Sequence, residues 1–87
     1  MQLQQILEET GLDRREISVY LAVLELGQST VLPIAKKAGI KRTYCYDILD
    51  ALEKKGLISF IVKSNRRRYS AEDPRKLRIR LNNQLIF

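Results

Sequence analysis

The sequence predicts a mainly α fold closed by one small β-hairpin, and three observations carry that expectation. Apolar residues recur at helical spacing from Leu3 to Leu52. The period changes to two after Gly56, where Ile58, Phe60 and Val62 alternate with Ser59, Ile61 and Lys63. Only short links, centred on Gly11, Gly27 and Gly39, separate the helical stretches. A chain of 87 residues forms one small domain and hides little more than ~60% of its unfolded surface. A (β/α)8 barrel or a doubly wound dinucleotide fold does not fit that length.

The first segment, residues 2–9, places Leu3, Ile6 and Leu7 on one helical face and stops at Thr10-Gly11. A stronger start signal follows. Asp13 is positioned to cap a second helix, with Glu16 reaching back to the cap and Leu12 and Ile17 as a hydrophobic staple. Ile17, Tyr20, Leu21 and Leu24 then stand at i, i+3, i+4 and i+7, which predicts a buried stripe running to Leu26 before Gly27. Ser29 or Thr30 caps a shorter helix that contains Ile34, Ala35 and Ala38 and ends at Gly39. Pro33 falls within its first turn, where a missing N–H does no harm.

Gly39-Ile40-Lys41 leads at once into a helix from about Arg42 to Lys55, with Cys45, Ile48, Leu49 and Leu52 inward and Gly56 as its stop. Two helices joined by a short glycine turn form a helix-turn-helix. The alternating segment, a turn at Ser64-Asn65-Arg66 and a return through Arg67–Ala71 complete a hairpin with an arginine-rich tip. Asp73-Pro74 starts a further helix with Leu77, Leu81 and Leu85 spaced by four. The expected fold is thus a winged helix-turn-helix over residues 1–72, followed by a C-terminal helix over 73–87. The leucines of that helix are candidates for dimerisation or for packing back onto the first helix.

Composition narrows the chemistry. The chain has no histidine and no tryptophan, and Cys45 is its single cysteine, so disulfide scaffolds, zinc fingers and Cys-His nucleophile pairs are excluded. No enzyme activity and no cofactor are expected, and Cys45 reads as a small core residue. No apolar stretch approaches the ~18 residues of a membrane span. The first residues lack the basic start and apolar run of a secretion signal, so a cytoplasmic, nucleoid-associated protein is expected.

Sixteen basic residues against ten acidic ones give a net charge of +6. Residues 1–30 contribute −3 (two basic, five acidic) and residues 31–87 contribute +9 (fourteen basic, five acidic). A positive field confined to the second half of a chain suits a polyanion. With Cys45, Ile48, Leu49 and Leu52 inward, a step of ~100° per residue turns Thr43, Tyr46, Asp47, Asp50 and Lys54 outward, with Arg42 and Tyr44 on the flanks.

That face has the groups needed to read a duplex. Arg42 can donate twice to a guanine, Thr43 can meet a phosphate or a thymine methyl, and Tyr46 offers a hydroxyl and a ring. Lys41 and Tyr44 border the same surface, and Asp47 either accepts from a cytosine amino group or orients a basic neighbour. Asp50 is a solvated residue within reach of Lys54 four positions on, and Lys54 and Lys55 suit the negative end of the helix dipole. In the hairpin, strand alternation sends Arg66 and Arg68 to one face and Arg67 to the other. Each arginine that meets a phosphate steepens the salt dependence of binding, so loss of Arg67 is expected to weaken all sequences alike. The alternative role for these arginines is to protect an edge strand from aggregation.

The combined pattern of Gly11-Leu12-Asp13, Val19-Tyr20-Leu21-Ala22-Val23-Leu24-Glu25-Leu26-Gly27, Ile34-Ala35-Lys36-Lys37-Ala38-Gly39-Ile40, Arg42-Thr43, Tyr46-Asp47-Ile48-Leu49, Leu52-Glu53-Lys54-Lys55-Gly56-Leu57-Ile58 and Arg68-Tyr69-Ser70-Ala71 with Asp73-Pro74 closely resembles the winged-helix domain of TrmB-family transcriptional regulators, chiefly archaeal. The resemblance covers roughly residues 10–76. It implies a sequence-specific, homodimeric binder of double-stranded DNA whose Arg42, Thr43 and Tyr46 face the operator and whose arginine-rich hairpin is the wing. Lys41, Pro33 and Tyr44 depart from the usual residues of the family and bear on the operator sequence rather than the fold. Longer family members continue into a coiled coil and an effector-sensing domain, so this chain is expected to be either a fragment or a short stand-alone member. A protein-interaction module within a transcription or recombination assembly is the alternative function.

Overall fold

The computed structural model describes residues 3–9 and 11–73. Its element order is α1 (Leu3–Glu9), α2 (Arg14–Leu26), α3 (Val31–Ala38), α4 (Arg42–Lys54), β1 (Ile58–Lys63) and β2 (Arg66–Ala71). This is the expected winged helix-turn-helix. The predicted C-terminal helix, with Leu77, Leu81 and Leu85, lies outside the described residues.

The start of α2 is built as its sequence signals. The Glu16 N–H donates to Asp13 Oδ1 at 2.8 Å, and the Asp13 N–H donates to Glu16 Oε1 at 3.1 Å, forming a capping box. Leu12 and Ile17 are both buried beside it. The other oxygen of the same carboxylate has a distant partner, because Lys55 Nζ donates to Glu16 Oε2 at 2.7 Å. Glu16 therefore fastens the first turn of α2 to the end of α4. The helix dipole alone does not account for Lys55.

Replacing Glu16 by alanine removes both functions and is expected to cost about 1–2 kcal/mol. Glu16→Gln keeps an oxygen for the Asp13 N–H and should recover part of the loss. Thermal melts of the two variants beside exposed Arg15→Ala test this, and equal melting temperatures for all three would contradict it.

The buried arc of α2 differs from the predicted stripe. Ile17 and Tyr20 are in the core, but so are Val19, Ala22 and Val23, whereas Leu24 and Leu26 are 42% and 39% exposed. The arc is centred one residue earlier than apolar spacing indicates, on Glu16, Val19, Tyr20 and Val23. Its first member is a charged residue satisfied by Asp13 and Lys55, which hydrophobic periodicity cannot register.

Glycines turn the chain out of α3 and α4. Gly39 takes φ 71° and ψ 33°, and the Ile40 N–H then donates to Ala35 O at 3.0 Å. At the end of α4, Gly56 takes φ 80°, its N–H donates to Glu53 O and the Leu57 N–H donates to Leu52 O, both at 3.0 Å. This is a Schellman closure, with Leu52 and Leu57 both in the core. It delivers the chain directly into β1. Thr30 is the N-cap of α3, as expected, but its side chain makes no capping bond.

β1 and β2 pair antiparallel, with Ile58 opposite Ala71, Phe60 opposite Tyr69 and Lys63 opposite Arg66. The loop is the two residues Ser64 and Asn65, at φ 54° and 63°, a combination that matches the twist of a tight hairpin. Arg66 is therefore the first residue of β2, whereas the sequence pattern places it in the turn. Ser29 adds a third position to the sheet: its N–H donates to Tyr69 O at 3.0 Å, and its carbonyl accepts from the Tyr69 N–H at 2.7 Å. The core-facing alternation holds for Ile58 and partly for Phe60 but not for Val62, which is 66% exposed because the hairpin extends past the helices. Tyr20 is fully buried in α2 and its hydroxyl donates to Glu72 O, tying the strand exit to the core. Burial, then the Asp73 and Glu72 charges, push this hydroxyl up to about 12.

Candidate nucleic-acid interface

The fold holds α4 by one face and leaves the other open. Cys45, Leu49 and Leu52 are fully buried and Ile48 is half-buried, which fixes the rotation of the helix. Arg42, Thr43, Tyr44, Tyr46, Asp47, Asp50 and Lys54 are all exposed, as helical geometry requires. Tyr44 and Tyr46 are 55% and 43% exposed, so neither ring is spent on the core. Lys41 is the exposed N-cap and makes no side-chain cap, so α4 begins with uncapped amides beside a cation. Such a helix start favours an anion.

The wing divides its arginines between two faces. Cross-strand pairing puts Arg67 opposite Val62 and on the side of Phe60 and Tyr69, whereas Arg66 and Arg68 lie on the side of Ile61. Arg67 is held against the helices: its guanidinium carbon stands 4.4 Å from the Phe60 ring centroid, and its Nη1 is 3.7 Å from Asp50 Oδ1. Asp50 thus meets the wing instead of Lys54, the partner that spacing along α4 suggests. Arg66 is exposed, and Arg68 is half-buried with its Nε buried and unpaired within the protein. In the first helix of the helix-turn-helix, Lys37 pairs with Glu25 of α2 at 2.8 Å, and Lys36 is exposed.

A cleft of about 540 Å³ runs between the start of α3, the start of α4 and the hairpin tip. It brings together four of the predicted residues, Arg42 and Tyr46 from α4 and Arg66 and Arg67 from β2. Lys41, Thr43, Tyr44, Asp47 and Arg68 lie outside its lining. Sequence reading missed its remaining walls, Thr30, Val31 and Leu32 on one side and Asn65 and Tyr69 on the other. Thr30 was visible as a cap candidate, but nothing local places it beside the hairpin. That juxtaposition depends on the Ser29–Tyr69 bridge, between residues 40 positions apart.

Cys45 sits behind this surface and is fully buried. Burial pushes its thiol from 9.0 up to about 11. Because the unfolded thiol releases its proton at lower pH than the folded one, this contribution to stability is complete below pH 9 and falls away as the pH rises towards 11. Thiol labelling with an aromatic disulfide at pH 7–8 is therefore expected to be slow in the folded protein and rapid in denaturant. Fast labelling without denaturant would contradict the core placement.

Comparisons with known proteins bear on the family and the fold. The family model described as "Sugar-specific transcriptional regulator TrmB" matches residues 7–75. The HTH-type sugar sensing transcriptional regulator TrmBL1 of Pyrococcus furiosus is 33% identical over 85 residues, covering 98% of this chain and 25% of that protein. The structure of TrmBL2, described as an archaeal chromatin protein with a novel mode of DNA binding, superposes with a TM-score of 0.78 at 23% identity, covering 93% of this chain and 32% of that one. A MarR-family transcriptional regulator from Silicibacter pomeroyi gives a TM-score of 0.71 at 17% identity, covering 91% and 56%. The chain thus spans about a quarter of the length of the curated relative it matches. No helix among the described residues is long and apolar enough to cross a membrane.

Proposed function

The chain belongs to the TrmB family of transcriptional regulators, and from that premise we propose that it binds double-stranded DNA in a sequence-specific manner, with α4 in the major groove and the β1–β2 wing on the backbone or in the adjoining minor groove. One observation carries the reading. Arg42 and Tyr46 on the exposed face of α4 and Arg66 and Arg67 of the wing border one cleft, while the apolar face of the same helix is turned into the core.

Division of labour follows from chemistry. Arg42 and Tyr46 project from the first turns of α4, where side chains of a groove-bound helix reach base edges, and Arg42 is the donor suited to a guanine. Lys41, Thr43 and the amides of the first turn suit backbone phosphates. Tyr44 and Asp47 border this surface, and Arg66 and Arg68 supply cationic contacts from the wing. The protein acts as a homodimer, through Leu77, Leu81 and Leu85, on a pseudo-palindromic operator with half-sites about 10 bp, one helical turn, apart. A cytoplasmic, nucleoid-associated location follows from this role, and neither a cofactor nor enzymatic chemistry is required by it.

Selection of bound sequences from random duplex DNA, combined with mass measurement in solution, tests the reading. A recurring motif bound well above nonspecific affinity at moderate salt is the expected result, and its absence would overturn the proposal. Arg42→Ala should relax base choice at one position of that motif by about 1–3 kcal/mol of discrimination.

A further inference from the structure

We propose that the cleft between the wing and the two helix starts is a seat for one backbone phosphate of the duplex together with its flanking sugar, so that the wing and the helix-turn-helix close on the same nucleotide from two sides. This rests on the DNA-binding reading above and gives that surface a specific register.

The shape and chemistry of the cleft point to this occupant. Its volume of about 540 Å³ exceeds what a lone ion fills, and its walls are of two kinds. Arg66 of the hairpin contributes a permanently charged donor, Arg42 at the start of α4 adds its positive charge to the lining, and Thr30 is the N-cap of the helix spanning Val31–Ala38. Charge-assisted donors and a helix start converge on phosphate oxygens. Val31 and Leu32, the latter 47% exposed, form an apolar wall that matches the carbon face of a deoxyribose.

One further observation supports an occupant with acceptor oxygens. The Thr30 side chain makes no cap bond with its own helix, which leaves its hydroxyl available for another acceptor. Tyr69, another wall residue, is 1% exposed with its hydroxyl buried, so that hydroxyl does not itself face an occupant. Arg67 plays a different part. Held on Phe60 and within 3.7 Å of Asp50, it already has partners within the protein and lines the seat without serving as its phosphate donor.

The test uses the full 87-residue chain and a duplex recovered by selection, prepared in versions with one phosphate at a time replaced by a neutral methylphosphonate. One position is expected to lower affinity about tenfold or more for the unaltered protein. Thr30→Val, which keeps the branched shape, and Arg66→Ala should each bind the normal duplex more weakly, yet lose at most about twofold more at that position. Other phosphates should remain as sensitive in these variants as before. If duplex is bound but no single position stands out, or if the sensitive position is unchanged in both variants, the seat is wrong and the DNA-binding reading survives. If no duplex is bound at all, both fall. Saturable binding of inorganic phosphate without DNA, with every methylphosphonate position tolerated, would assign the cleft to a free phosphorylated ligand and overturn the proposal.

Discussion

Leu49→Ala is expected to lower stability by about 2–5 kcal/mol. Leu49 is fully buried on the inner face of α4, between the helix that carries the candidate reading surface and the rest of the core. Deleting its branched end removes transfer free energy and leaves a cavity that the surrounding core fills only partly. At roughly 0.05–0.15 kcal/mol per residue, a domain of this length has about 4–13 kcal/mol in total, so the variant loses a large fraction of it. A fall in melting temperature of about 4–8 °C for each kcal/mol is expected. Leu24→Ala provides the contrast. With Leu24 at 42% exposure, the same chemical change should cost under about 1 kcal/mol, and equal losses for the two variants would show that the core does not lie where the structure places it.

The contrast also marks what could be read from the chain alone. Features decided within about four residues were legible: the Asp13/Glu16 capping box, the left-handed glycines after α3 and α4, and the change of period into the hairpin. Each is decided by a residue and its near neighbours along the chain. The facing of α4 was legible too, because the buried side of that helix consists of apolar residues and its open side does not.

What was not legible depends on elements distant in sequence. Leu24 has the right spacing for a core residue, but the buried arc of α2 is set by what lies against it, including the ion pair between Glu16 and Lys55. Val62 alternates correctly yet stands beyond the reach of the helices. The pairing of Asp50 with Arg67 and the walls of the cleft arise only when the hairpin folds beside the start of α3, a placement fixed by backbone bonds between Ser29 and Tyr69. Sequence reading identified most of the cationic groups of the interface but not the space between them.

That space separates the roles of the wing arginines, and the separation should appear as a large difference in salt dependence. If Lys41, Arg66 and Arg68 each neutralise one phosphate, affinity per chain falls with a log–log slope of about −2.7, a loss of about 40-fold between 50 and 200 mM salt. Removing Arg66 and Arg68 together should reduce the slope to about −0.9 and the loss to about 3–4-fold. Arg67 should behave otherwise, because its charge already faces Asp50 and its plane covers Phe60. Arg67→Ala is expected to weaken binding of every sequence by exposing the Asp50 carboxylate to the duplex while changing the slope by less than one contact. Asp50→Asn in the same chain removes that repulsion and should restore most of the affinity. An arginine that bound phosphate directly would not be rescued by a change at Asp50, so binding isotherms of the single and double variants at several salt concentrations decide between a cation that holds DNA and one that positions the wing.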